Sequence, residues 1–149
     1  MVEVKIRVEV DSQLNDKEVV IRVPNRDAEV VELMAAIEQL AAKHQTLPVT
    51  KRGTQLQLPL ADVLFFETEN RLVYAHTGAD SYVTRKRLYE LETDLPVNFL
   101  RISKSAILNV EQVYTLTHSV TGNLVQFKQS HKQIYVSRRY YKALKAALE

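Results

Sequence analysis

The segment "FLRISKSAILN", residues 99–109, sets two cations and two hydroxyl groups within an otherwise apolar stretch. Apolar side chains at both of its ends predict that the segment is anchored in a hydrophobic core. The polar residues between them are Arg101, Ser103, Lys104 and Ser105. Basic side chains held by such packing lose little entropy on binding. We therefore expect Arg101 and Lys104 to project from the core as binding groups.

Short strands predominate after residue 47. Pro48 and Gly53 mark a linker or hairpin there, and we place a domain boundary at this point. Alternating or apolar runs separated by polar turns predict the strands. They cover residues 54–59, 62–67, 71–77, 81–84, 112–118, 123–128 and 133–136.

Two short helices interrupt the β pattern. Leu88, Leu91 and Leu95 share one helical face, and Pro96 ends that helix. Ser137 is typical of an N-cap, and Tyr141, Leu144 and Leu148 share one helical face, which predicts a last helix from about Arg138. Residues 47–149 thus read as a mainly β domain with short helices.

The first 46 residues follow another pattern, two alternating segments and an amphipathic helix. "VEVKIRVEV", residues 2–10, alternates apolar and charged side chains, and residues 19–23 repeat the alternation. From about Asp27 to His44, apolar residues recur at three- and four-residue steps, which is typical of a helix. So small a ββα unit seldom folds alone. Either the rest of the chain or a second copy must cover its apolar stripe, and we expect a second copy.

No pattern in the sequence indicates an enzyme. There is no cysteine, no glycine-rich phosphate loop and no nucleophile elbow. The four histidines, His44, His76, His118 and His131, lie too far apart in sequence for the usual metal-site spacings. We expect no catalytic residue, metal or cofactor.

The N-terminal sequence indicates a cytoplasmic protein. No apolar run approaches the ~18 residues of a membrane-spanning helix. The alternation of residues 2–10 also differs from the continuous apolar region of a signal peptide.

Positive charge is concentrated in the last third of the chain. Residues 97–149 hold eight Lys and Arg side chains against two acids. Basic clusters at residues 85–87, 101–105 and 137–139 lie in turns or at predicted helix starts, where free N–H groups favour phosphate. Each cluster alone is typical of a solvated turn. Together, cations mixed with hydroxyl groups favour a nucleic-acid partner.

Four segments, "ADVLFFETENRLVYAHT", "RKRLYELETDL", "NFLRISKSAILNVEQV" and "IYVSRRYYKALK", follow the order and spacing of one known family. Through them residues 50–149 resemble the LytTR DNA-binding domain of bacterial transcription regulators. The resemblance implies an elongated antiparallel β-sheet domain, preceded here by the small ββα unit. Domains of this family lay loops into successive major grooves of double-stranded DNA.

The resemblance also implies three DNA-contacting regions. They are the turn with Asn70 and Arg71, the segment with Arg101, Ser103, Lys104 and Ser105, and the helix start with Ser137, Arg138 and Arg139. Lys104 and Arg139 would read guanine, and Asn70 would suit adenine. Arg101, Ser103 and Ser105 would lie near the DNA backbone, and Ser137 and Arg138 would contact phosphate. Further backbone contacts would come from Arg85, Lys86 and Lys142. Many members carry histidine and arginine where this chain has Ser103 and Lys104, so its preferred bases can differ.

The first 46 residues have no counterpart of the family's receiver domain. The chain is therefore similar to stand-alone LytTR regulators, which implies a possible small membrane protein as a partner. We expect a homodimer, paired through the ββα unit, on two half-sites of a DNA operator.

Two other functions remain open at this point. An RNA-binding module would stack Tyr140 or Tyr141 on unpaired bases. A protein-interaction adaptor would hold a membrane partner and bind nucleic acid weakly, without sequence preference.

Overall fold

The computed structural model describes residues 3–43 and 45–149. Its helices are α1 (Ala28–Lys43), α2 (Leu88–Asp94) and α3 (Arg138–Leu148). The chain forms two compact units, Met1–Ala36 and Ile37–Glu149, which divide within α1. The boundary predicted from sequence lies further along, near residue 47. Among the described residues, no helix is both long and apolar enough to cross a membrane.

Ten strands occur in the described part of the chain, all of them after α1. They are β1 (Thr46–Lys51), β2 (Thr54–Pro59), β3 (Phe65–Glu69), β4 (Leu72–His76), β5 (Ser81–Thr84), β6 (Phe99–Ser103), β7 (Ala106–Asn109), β8 (Val113–Ser119), β9 (Gly122–Phe127) and β10 (Gln133–Val136). Two short 3-10 turns, Leu60–Asp62 and Val110–Gln112, precede β3 and β8.

The strands form two antiparallel sheets. One has seven strands in the order β2-β1-β5-β4-β3-β7-β6, and the other has three in the order β10-β9-β8. β3 lies well inside the large sheet, between β4 and β7. Its register places Glu67 opposite Tyr74 on one side and Ala106 on the other.

Two hydrophobic cores form around the inner strands of the seven-stranded sheet. The first core contains Leu88 and Leu91 of α2 together with Phe66 of β3 and Ile107 of β7. The second core contains Phe65 and Leu108 of the same two strands, Val125 and Val136 of the small sheet, and Leu144 of α3. Successive residues of a strand face opposite sides of a sheet. The inner strands are therefore covered on both faces, by α2 on one and by the small sheet with α3 on the other.

The mainly antiparallel β architecture with short helices agrees with the sequence prediction. Each of the seven predicted strands is present, with ends displaced by at most a few residues, and α2 and α3 lie where the leucine spacing predicted them. Three further strands, β1, β6 and β7, were not predicted. β7 is buried on both faces and shows no alternation, and a bulge between Arg101 and Ser103 disrupts the alternation of β6. Of the two structures that Pro48 and Gly53 predicted, a linker or a hairpin, the hairpin is present: β1 and β2 pair antiparallel, with Pro48 opposite Gln57 and Gly53 in the turn.

The N-terminal region differs from its prediction. Residues 3–27 contain no strand, although strands were predicted in residues 2–10 and 19–23, whereas the predicted helix is present as α1. Val2 and His44 lie outside the described residues. A strand needs a partner for its hydrogen bonds, and a two-stranded ribbon is marginal on its own in water. Ile6, Val8 and Val10 are 90%, 83% and 94% exposed in the single chain.

Candidate nucleic-acid interface

A two-residue turn, Asn70–Arg71, connects β3 to β4. Both residues have positive φ angles, 52° and 67°, which is the backbone of a type I′ hairpin turn. Glycine usually fills the second position, because a side chain strains this conformation. Arg71 stands there instead, and both side chains are exposed.

A second turn, Lys104–Ser105, connects β6 to β7. Lys104 is exposed, and no ion pair involves it in residues 3–43 or 45–149. The Ser105 amide donates to the Ser103 hydroxyl at 3.2 Å, and the Ser105 carbonyl accepts from the Thr68 amide at 2.8 Å. The turn is thus tied to β3 while the Lys104 side chain stays free.

Strand register brings these turns to the same end of the large sheet. β3 runs toward Asn70, and β7 starts beside it, with Ala106 opposite Glu67. β5 ends at Thr84, which pairs with Val73 close to the Asn70–Arg71 turn. Arg85, the residue after β5, therefore lies at this end as well.

The start of α3 is hydrogen-bonded to β6 at the same end of the large sheet. The Ser137 amide and hydroxyl donate to the carbonyl of Ile102 at 2.9 and 3.2 Å. Ile102 is the extra residue of the β6 bulge, and a bulged residue is left outside the regular ladder. Ser137 holds the predicted N-cap position, but its hydroxyl makes no capping bond and serves this contact instead.

Cations cover the first turns of α3. Arg138, Arg139 and Lys142 are exposed, and the Arg139 guanidinium lies 5.6 Å from the ring centre of Tyr140. Buried Leu144 anchors the helix in the second core. Free N–H groups at a helix start add a positive potential that attracts anions. We call the region made of residues 70–71, 85–86, 104–105, 137–139 and 142 the basic end.

Arg85 and Lys86 extend the basic end beside α2. Arg85 is exposed, while the Lys86 ammonium pairs with Asp94 at 3.1 Å. Exposed pairs of this kind contribute about 0–1 kcal/mol. Lys86 can therefore exchange Asp94 for another anion at little cost.

Two acids also lie close to the basic end. Glu67 and Glu69 belong to β3, just before the Asn70–Arg71 turn. Burial, together with repulsion from Glu69, raises the pKa of Glu67 above its ordinary value. The cations at this end therefore face some negative charge of the protein itself.

Arg101 has a different environment from the other predicted contact residues. Its side chain is 19% exposed and pairs with Glu92 of α2. The guanidinium also donates to the carbonyl groups of Ser103 and Lys104. Arg101 is thus engaged by acceptors of the protein.

The other end of the large sheet holds cations with internal partners. The Lys132 ammonium donates to the Asp80 carbonyl and lies 3.2 Å from Nδ1 of His76, while the Ser130 hydroxyl donates to Gly78 at 2.7 Å. These contacts join the two sheets. Burial and the nearby Lys132 charge lower the pKa of His76 to about 4, and burial lowers the pKa of Lys132.

Three groups that shape the basic end were not identified from the sequence. They are the Glu92 carboxylate, the Thr68 amide and the Ile102 carbonyl. Backbone groups leave no sequence signal, and Glu92 meets Arg101 only because a helix and a strand pack together. Among the described residues, no cluster of His, Cys, Asp and Glu could hold a metal ion.

Comparison with known proteins agrees with this architecture. Residues 53–149 match the sequence profile of the family described as "LytTr DNA-binding domain". Over 144 residues, 97% of each chain, the protein is 28% identical to an uncharacterized HTH-type transcriptional regulator of Staphylococcus aureus strain MSSA476. A regulator of the same description from strain MRSA252 is 27% identical over the same span.

A solved structure shows the same fold. It is the LytTr DNA-binding domain of a Bacillus cereus protein described as a methyl-accepting/DNA response regulator. The match has a TM-score of 0.64 and 19% identity, and it covers 70% of this chain and 96% of that one. The LytTR-like β fold predicted from sequence is confirmed. With nearly all of its β domain matched, the chain belongs to the LytTR family of DNA-binding domains.

Proposed function

We propose that this DNA-binding transcription regulator reads its operator in the major groove of duplex DNA, through the side chains of the basic end. Membership of the LytTR family and the names of its relatives support regulation of transcription. Such a regulator acts where the chromosome is, so we place it in the cytoplasm.

The observation that carries the proposal is the convergence of four separate basic segments. They are far apart in sequence, yet strand register and the Ser137–Ile102 contact bring them together at one end of the β domain. Basic residues that only face solvent would not need to lie together at one end. Several cations at one end match the repeating phosphates of a duplex, which dominate affinity.

Each side chain has a proposed role that follows from its position. Lys104 and Arg139 are exposed on well-anchored backbone, and cations of this kind recognise O6 and N7 of guanine. Asn70, at the tip of the β3–β4 turn, suits adenine. Phosphate contacts are assigned to Arg71, Arg85, Lys86, Arg138 and Lys142, and to the hydroxyl groups of Ser103 and Ser105. Ser137, which was also expected on phosphate, is left out because its amide and hydroxyl already donate to the Ile102 carbonyl.

The N-terminal region is proposed to pair two copies of the chain. Ile6, Val8 and Val10 are all more than four-fifths exposed, and they alternate with charged residues. Addition of a partner strand would satisfy the backbone and cover this apolar row. A dimer would place two basic ends on half-sites separated by one or two helical turns, in steps of roughly 10 bp. A different protein, such as a small membrane protein, would be the alternative occupant.

A binding selection from random DNA duplexes at fixed ionic strength tests the function. We expect recovery of two related half-sites with constant spacing. With five phosphates neutralised by Lys and Arg side chains, log K should fall with a slope of about −4.5 against log salt. Recovery of random sequences would contradict sequence-specific reading, and a flat salt dependence would favour the adaptor.

RNA binding is supported less well by the contacts of the candidate stacking residues. Tyr140 packs on the second core, and the ring of Tyr141 lies 4.7 Å from that of His118. Neither ring is freely available to stack on an unpaired base. A gel shift that compares duplex DNA with single-stranded RNA separates the two functions, and stronger binding of the RNA would favour the RNA-binding module.

A further inference from the structure

The Arg101 guanidinium holds both peptide groups that flank Lys104. Its Nε donates to the Ser103 carbonyl at 2.6 Å, and one terminal nitrogen donates to the Lys104 carbonyl. These two carbonyls precede and follow the Cα atom of Lys104. Holding both of them restricts the backbone from which the Lys104 side chain projects.

The remaining terminal nitrogen ties this turn to α2. It donates to the Glu92 carboxylate at 2.6 Å. Buried Leu88 and Leu91 fix α2 on the first core, so Glu92 is a firm attachment point. Charge-assisted hydrogen bonds of this kind are about twice as strong as neutral ones.

A direct DNA contact fits Arg101 poorly. The side chain is only 19% exposed, and three of its five N–H groups already donate to acceptors of the protein. A phosphate could use only the two remaining N–H groups of a side chain that is largely covered by the protein. Lys104 has the opposite properties, because it is exposed and no ion pair involves it within the described ranges.

We propose that Arg101 is a positioning residue, which with Glu92 fixes the direction in which Lys104 reaches a base edge. This proposal rests on the proposed reading of DNA by Lys104. It revises the sequence prediction that placed Arg101 itself on the DNA backbone. The planar guanidinium fork can bridge three acceptors, and a lysine ammonium at the same site cannot reproduce that geometry.

Two full-length variants test the proposal on a selected operator and its single-base variants. R101K keeps the charge, and E92Q replaces the carboxylate by a neutral amide that accepts a weaker hydrogen bond from Arg101, with little risk to folding. We expect R101K to lose about tenfold or more of the discrimination at the base pair read by Lys104, and E92Q to lose part of it. A third variant, R101Q, removes the charge and should keep the wild-type salt slope, because no phosphate contact is lost. Cooperative thermal unfolding verifies that all three variants fold.

Charge effects are separated by a matched variant. D94N removes the same charge from α2, although Asp94 pairs with Lys86 and not with Arg101. Loss of either acid should raise affinity for every duplex, but only E92Q should lose discrimination.

The double variant R101K/K104A should discriminate between bases no worse than K104A alone, since both substitutions act on one contact.

Three results would contradict these proposals, each in a different way. Full discrimination by both R101K and E92Q would overturn the positioning role while leaving the proposed function intact. A salt slope reduced by about one in R101Q would assign Arg101 to phosphate instead. A wild-type protein without sequence preference would overturn both proposals together.

Discussion

Ser137 donates two hydrogen bonds to one carbonyl, that of Ile102. Its amide lies 2.9 Å and its hydroxyl 3.2 Å from that oxygen. Because Ile102 is two residues before Lys104, this contact links the start of α3 to the β6–β7 turn. Hydrogen bonds therefore connect the two backbone segments that bear Lys104 and Arg139, two of the proposed base-reading side chains.

Removing the Ser137 hydroxyl should weaken the contact between the start of α3 and the β6–β7 turn. S137A loses one hydrogen bond, which should lower the free energy of unfolding by about 1 kcal/mol in a urea titration. Operator affinity should fall as well. S130A is the control at the other end of the sheet, where the hydroxyl donates to the Gly78 carbonyl at 2.7 Å and accepts from the Lys132 amide at 3.1 Å. It should lose similar stability and bind DNA normally, and equal losses of affinity in both variants would contradict the linkage.

The strained turn at Arg71 predicts opposite effects on stability and binding. A side chain in this left-handed conformation costs about 1–2 kcal/mol, which glycine avoids. R71G should therefore unfold at the same or slightly higher urea concentration, yet bind operator DNA more weakly and with a shallower salt dependence.

Arg52 supplies the control for that prediction. It also has a positive φ, 50°, in the two-residue turn between β1 and β2. That turn lies at the end of the sheet opposite the basic end. R52G should resemble R71G in stability and wild type in DNA binding. Equal loss of binding in R52G and R71G would show that the effect of R71G is overall charge.

Acid should weaken the contact between the sheets through His76. Its pKa is about 4 in the folded protein, against an ordinary value of 6.5. Between these values the unfolded chain binds more protons, so the free energy of unfolding should fall as pH drops from about 6.5 to about 4. Urea titrations across this range should show a smaller fall in H76Q. H131Q changes an exposed histidine nearby, and its free energy of unfolding should depend on pH as in wild type. If H76Q also shows the wild-type pH dependence, His76 is not the cause of the fall in stability.

Polar substitution of the N-terminal apolar row should separate the proposed dimer. I6S/V8S should sediment as a monomer and lose cooperative binding to paired half-sites, while its affinity for one half-site stays unchanged. K5S changes the alternate face of the same segment and should remain dimeric. A wild-type protein that sediments as a monomer would contradict pairing of two copies.

The sequence predicted much of the β domain because its exposed strands alternate and its helices carry leucines at regular spacing. β7 could not be recognised in this way, since "AILN" is buried on both faces. The bulge at Ile102 likewise shifts the pattern of β6. The N-terminal strands were predicted from alternation alone, which does not specify a partner.

The sequence correctly predicted the environment of a candidate site residue only where its side chain is exposed. Lys104, Arg138 and Arg139 are exposed as expected. The engagement of Arg101 could not be predicted, because its acceptors are two backbone carbonyls and a carboxylate on another element. Local sequence identifies such a residue as basic but does not show what it contacts.

Methylation interference at guanine N7 is the most direct test of major-groove reading by the basic end. With wild-type protein, methylation of particular guanines in the selected operator should block binding, because N7 lies in the major groove. R139A should become insensitive to one of these guanines and K104A to a different one, while R52G retains the full pattern. An interference pattern that is unchanged in R139A and K104A, or absent in wild type, would contradict the account.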